Sequence, residues 1–260
     1  MNDDLKEHIS ECLKKGIRLD GRKNEEFRDI EIEVNTIETA EGSCRVKVGT
    51  SEVIAGVKLS IGTPFSDTPN DGVLMVGAEL LPLSNPDFES GPPSIESIEI
   101  ARVIDRGIRE SKVMDTKALC ITKGEKVWMV MIDICPINTD GNLIDIGALA
   151  AIIALKNAVF PEVKDGVVDY KKKTKKTLPV TSFPITVTVL KIGDNFIVDP
   201  TNAEEKAMDS RLTVSVMADG TLCAMQKGGV SPLYTKDIDI MIDLAMKKSE
   251  DLRKLLETKK

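Results

Sequence analysis

Residues 40–59 read AEGSCRVKVGTSEVIAGVKL. Cys44, Val46 and Val48 alternate with polar or charged neighbours, and residues 53–59 continue the series. That period of two is the pattern of strands with one buried face. Gly42 and Gly49 punctuate the runs as turn residues. Upstream, Ile30, Ile32 and Val34 alternate with charges in the same way. Downstream, residues 62–72 (GTPFSDTPNDG) form a loop rich in Pro, Gly and Asp, followed by a further strand over residues 73–81.

Working outward, residues 3–15 form a short amphipathic helix with Leu5, Ile9, Cys12 and Leu13 on one face and Gly16 as its stop. Residues 94–112 are strongly helical, with Ser94 as candidate N-cap. Strands follow at 119–122 and 127–135, then a turn at 138–141. Residues 143–159 are apolar almost all round, the mark of a buried helix, with Pro161 as its end. Residues 161–180 look like a linker, with five lysines between 171 and 176. Beyond it the pattern restarts. Strands are expected at 185–192 and 195–198, and runs 211–217 and 221–227 pair across Asp219-Gly220, a type I′ hairpin signal. An amphipathic helix from Thr235, its expected cap, to residue 258 closes the chain. Strands then helices, repeated once, define an α+β fold of two lobes, without the regular β-α alternation of a doubly wound sheet. The expected division is 1–27 (helix and lead-in), 28–162 (first lobe), 163–182 (linker) and 183–260 (second lobe).

Composition narrows the chemistry. At 260 residues the chain can bury a core without disulfide or metal staples. Its 35 basic and 42 acidic residues leave a net charge of -7, so a surface that grips nucleic acid throughout is excluded, although a local basic stripe is not. Nine aromatic residues are too few for an extended base-stacking platform. The five cysteines have no close spacings and read as reduced core thiols, and a single histidine, His8, excludes a His-based triad or multi-His metal site. No 18-residue apolar run or basic-then-apolar leader is present, so a cytoplasmic protein without membrane contact is expected.

Arg102, Arg106 and Arg109 stand at i, i+4 and i+7 of the 94–112 helix, hence on one face. Three forked donors in a row suit a phosphodiester backbone. The competing reading pairs them with Glu99, Asp105 and Glu110 as surface ion pairs. Asp199, Glu204, Glu205 and Asp209 fall within eleven residues, a spacing compatible with a metal or an acid–base pair but equally with a solvated acidic loop. Residues 167–176, which carry the lysine run, offer a polyanion contact or merely a solvated loop.

Arg18, Asp20, Gly21 and Arg22, followed by Gly42, Ser43, Val46, Gly49 and Val53, resemble the opening signature of the RNase PH family. The helix IEIARVIDRGIRESK, the turn TDGNLIDIGALAAI and the segment DPTNAEEKAMD resemble its later landmarks, so the likeness spans roughly residues 16–250. It implies two β-α lobes of the RNase PH and ribosomal protein S5 domain 2 type. Within the family, the likeness is to the non-catalytic branch found in archaeal exosomes. Active members carry a D-G-G-T-R-type turn whose arginine and backbone hold the attacking phosphate; here Ile144 stands in its place. They also carry two acidic residues six apart; Asp209 matches the second, and Ala203 stands at the first.

The resemblance therefore implies no catalytic residues, metal or cofactor in this chain, and RNA binding through Arg102 and Arg106, with Arg109 third. It implies pairing with a catalytic RNase PH-like exosome subunit, three such pairs in a six-membered ring, a cap of RNA-binding subunits, and single-stranded RNA as substrate. Two alternatives stand beside it: an active phosphorolytic exoribonuclease, and a purely structural assembly module.

Overall fold

The computed structural model describes residues 3–164 and 167–258; Met1, Asn2, Asp165, Gly166, Lys259 and Lys260 lie outside them. Helix α1 (Asp3–Lys14) leads into β1 (Ile30–Val34), β2 (Gly42–Val48), β3 (Ser51–Gly62) and β4 (Val73–Ala78). Helix α2 (Ile95–Glu110), β5 (Cys120–Thr122), β6 (Lys126–Asn138) and α3 (Leu143–Asn157) complete the first lobe. Its sheet runs β1-β2-β3-β6-β4, with β5 attached to β6. All pairs are antiparallel except β4 with β6, whose parallel alignment needs a crossover, supplied by α2.

The alternation in residues 53–59 is realised in β3: Val53, Ala55, Val57 and Leu59 are fully buried beneath α3. Sheet and helix approach so closely that a Cβ on Gly42 would lie 2.4 Å from the Ala154 carbonyl oxygen. After α3 come β7 (Val159–Lys164) and β8 (Val167–Thr177). The second lobe comprises β9 (Ile185–Ile192), β10 (Asn195–Val198), α4 (Asn202–Ala207), β11 (Ser210–Val216), β12 (Leu222–Gly229) and α5 (Thr235–Thr258), its sheet ordered β10-β9-β11-β12.

The lobes meet through helices. The side chain of Thr188 in β9 bonds Asp145 of α3, and Ser215 in β11 sits under Gly107 of α2. On the alternate face of β9, Lys191 bonds Asp237 of α5 at 2.5 Å. The layers are thus first sheet, α2 with α3, second sheet, α5. This explains why α3 is apolar on every side: it is covered by one sheet above and another below.

Four local expectations are corrected. Residues expected as linker are paired: β7 and β8 form an antiparallel hairpin. Pro161 does not end α3; the helix stops at Asn157, and Pro161 lies inside β7 in a two-stranded ribbon that tolerates its missing N–H. The Asp219-Gly220 hairpin forms with a different turn. Only Gly220 takes positive φ (83°), Gly220 N–H bonds the Met217 carbonyl, and Asp219 Oδ1 accepts from Thr221 N–H. That is a type I turn followed by a glycine bulge, a three-residue loop instead of the two-residue type I′. Thr235 opens α5 inside its first turn instead of capping it, and the Asp237 carboxylate takes the Tyr234 amide.

Candidate nucleic-acid interface

Helix α2 starts where the Ser94 side chain accepts the Ser97 amide at 3.1 Å. Ile100, Val103, Ile104, Gly107 and Ile108 face the core, which turns all three arginines outward. They are not equivalent. Arg109 is held by Asp105 at 2.7 Å and by the Leu74 carbonyl at 3.0 Å. Glu99 is taken by Arg211 at 2.6 Å. Arg102 and Arg106 are exposed, and among the described residues neither has an ion-pair or hydrogen-bond partner. The ion-pair reading holds for Arg109 alone.

The acidic segment is no solvated loop. Arg18, 2% exposed, meets Glu204 through Nε (2.8 Å) and Nη2 (2.5 Å) and donates to the carbonyls of Val198 and Asp199. Asp199 is fully buried and accepts from Arg22 Nη1 at 2.8 Å and Arg28 Nη2 at 2.7 Å. Burial alone would raise the Asp199 carboxyl, but the Arg28 and Arg22 guanidinium groups outweigh it and hold it below the usual carboxylate range. Arg28 also donates to the Asp140 carbonyl at 2.8 Å, clamping the 138–141 turn to the second lobe. Asp209 is held by Lys6 of α1 at 2.7 Å and by the Gly193 amide at 2.7 Å. Among the described residues no group of three or more His, Cys, Asp or Glu side chains could hold a metal. Sequence reasoning missed this arginine–carboxylate lattice because its partners lie more than 170 residues apart.

Turn and segment meet at a cleft of about 330 Å³ lined by Asn142, Ile144, Glu96, Glu99, Glu205 and Arg211, among others. Asn142 and Asp199 both adopt left-handed backbone (φ 63° and 45°) and are joined by the Asn142 Nδ2 to Asp199 Oδ1 bond at 2.8 Å. Gly141 (φ 82°) is packed so tightly that a Cβ there would lie 2.5 Å from the Pro200 carbonyl. Glu205 Oε1 accepts the Asn142 amide at 2.9 Å, so a protein carboxyl already occupies the amino end of α3, where a helix favours an anion. Burial pushes the Glu205 carboxyl up to about 7. Glu96 is also raised, by burial and by neighbouring Glu99 and Asp87. The cleft's two cations are both taken: Arg211 by Glu99, and Lys206 by Asp87 at 2.7 Å. Asp209 does not line the cleft, and Ala203 packs against the small apolar cluster under α1.

Residues 26–161 match the model of the 3′ exoribonuclease family, domain 1, and residues 182–248 match domain 2. The chain belongs to the 3′ exoribonuclease, or RNase PH, family. It is 44% identical to the exosome complex component Rrp42 of Methanosarcina acetivorans over 96% of this chain and 92% of that protein. It is 42% identical to the Rrp42 component of Methanopyrus kandleri, covering 97% and 96%. Among solved structures, a chain of the Archaeoglobus fulgidus exosome, described as having RNA bound to the active site, superposes with a TM-score of 0.90 at 44% identity, covering 97% of both chains. A rice Rrp46 structure, 17% identical with a TM-score of 0.70, shares the fold. No helix among the described residues is long and apolar enough to cross a membrane.

Proposed function

We propose that this chain is the non-catalytic RNase PH-like subunit of an archaeal-type exosome, a phosphate-dependent 3′→5′ exoribonuclease complex in the cytoplasm. It pairs with a catalytic RNase PH-like subunit, three pairs close a six-membered ring, and RNA-binding subunits cap it. In the partner's site, inorganic phosphate attacks the terminal phosphodiester and a nucleoside diphosphate leaves. This chain shapes that site and steadies the RNA backbone with the unpaired guanidinium groups of Arg102 and Arg106; Arg109, held by Asp105, contributes less. The five thiols, all free, suit a reducing compartment.

The observation that carries the non-catalytic reading is the state of the cleft. Phosphoryl transfer needs positive groups and free N–H donors around the attacking anion. Here the Ile144 side chain offers no donor, Glu205 takes the Asn142 amide, the Glu96 carboxyl lines the cleft, and Arg211 and Lys206 are ion-paired. A dianion entering this cleft meets carboxyl groups. Calorimetric titration of inorganic phosphate into the isolated chain at neutral pH should show no saturable binding at millimolar concentrations. Saturation there would contradict the reading.

A further inference from the structure

The lysines of β8 have no part in the function above. Residues 159–177 hold six lysines against three acids, in a chain whose net charge is -7. An irregular lysine run would simply be solvated, but this one is built into a strand. Across from it β7 is shorter: Val159 pairs with Thr177, Pro161 with Lys173 and Glu162 with Asp169, so β8 bulges on both sides of Lys173. Bulges break the ladder and re-aim side chains.

The backbone of this irregular strand is pinned. Thr174 Oγ1 donates to the Phe160 carbonyl at 2.7 Å, and Asp169 Oδ1 accepts the Lys171 amide at 3.1 Å. The Lys176 ammonium sits 5.0 Å from the centre of the Phe160 ring. Lys171, Lys172, Lys173 and Lys175 are exposed, and no described carboxylate lies within ion-pair distance of any of them; the hairpin's ion pair is Lys164 with Glu162. Like charges gathered along one short strand repel one another, and a bound polyanion relieves that repulsion. Tyr170, at the head of the run, is 47% exposed, with the Lys58 ammonium 5.0 Å from its ring centre. The hairpin joins the body at the carboxyl end of α3, about 22 Å along that helix from the cleft at its amino end.

We infer that β8 is a second RNA-contact surface, in which Lys171, Lys172, Lys173 and Lys175 hold the phosphodiester backbone of single-stranded RNA and Tyr170 offers its ring to a base. A basic track beside an aromatic ring is the combination that single strands use, with phosphates on the lysines and a base stacked on the ring. The inference rests on the proposed RNA role of the complex.

The test measures anisotropy of a 5′-labelled oligoadenylate over a salt series, using the full chain alone and reconstituted with its catalytic partner. K171Q/K172Q/K173Q/K175Q should weaken binding about tenfold at low salt and flatten the slope of log affinity against log salt by about two. Arginine at the same four positions should preserve both. Unchanged affinity and slope in the glutamine variant would overturn the inference. So would a glutamine variant that keeps RNA but loses a polyglutamate peptide, since that would place an acidic protein on the strand. An Arg102→Ala, Arg106→Ala chain measured alongside separates the two readings: if it loses RNA while the lysine variant does not, β8 is excluded and the α2 face stands.

Discussion

Arg18 is the residue on which the junction of lead-in and second lobe depends. Its guanidinium and the Glu204 carboxylate are both buried, and its donors also reach the carbonyls of Glu26, Val198 and Asp199. Removing one partner of such a pair leaves an unmatched buried charge, which costs about 3–5 kcal/mol. Arg18→Met should therefore lower the free energy of unfolding in urea by a corresponding amount, whereas Arg45→Met, at an exposed pair, should leave it nearly unchanged. Equal losses would contradict the role given to Arg18. Asp145 and Glu205, both pushed up to about 7 by burial, supply the pH dependence near neutrality. Burial between the lobes raises the Asp145 carboxyl against the Thr188 hydrogen bonds that lower it. Protonated, it can donate to Thr188, whose hydroxyl passes the bond to Thr213 at 2.9 Å. A carboxyl that holds its proton more tightly folded than unfolded stabilises the fold fully below about pH 4, and that contribution is lost as pH rises through about 7. Stability should fall on the order of a few kcal/mol between pH 5 and 8, and Asp145→Asn should flatten the decline. A slope that persists in part reflects Glu205, whereas a wholly unchanged slope in the variant would exclude Asp145 as a contributor. At the acid end the sign reverses: Asp199 and Asp209, held low by their cationic neighbours, stabilise the fold until pH falls through their depressed values.

Among the elements, α2 joins fold to function. Its buried stripe fixes which way Arg102 and Arg106 point, and Gly107 lets it approach β11. Arg102→Ala with Arg106→Ala should weaken RNA binding by the reconstituted complex about tenfold, with little dependence on RNA sequence and a shallower salt slope. Arg109→Ala should weaken it less, because Asp105 already holds that side chain. Equal losses at Arg109 and Arg102 would remove the distinction. Helix α2 and strand β3 were legible in the sequence because their burial follows a single local period, 3.6 or 2; β9 and β11, buried along nearly their whole length, were legible instead as short β-branched runs. The β7–β8 hairpin was not, because bulges and exposed lysines erase its alternation. The acidic segment also reads wrongly from local composition: Asp199 and Glu204 are buried, and the arginines that permit this lie at the other end of the chain.

At the scale of the molecule, the site divides into parts the sequence shows and parts only the fold assembles. Ile144 and Ala203 are visible as departures from the active pattern. The carboxyl of Glu205 on the amino end of α3 and the neutralisation of Arg211 and Lys206 require the two lobes to be packed together. The same packing sets an acidic cleft inside the molecule and an unpaired arginine face on its outside. That arrangement suits a chain that holds RNA for a neighbour's chemistry. The most direct measurement is phosphorolysis of a 5′-labelled single-stranded RNA with inorganic phosphate, comparing this chain alone, its catalytic RNase PH-like partner alone, and the reconstituted pair. No shortening by this chain and full processive shortening by the pair are expected. Nucleoside diphosphate released by this chain alone would contradict it.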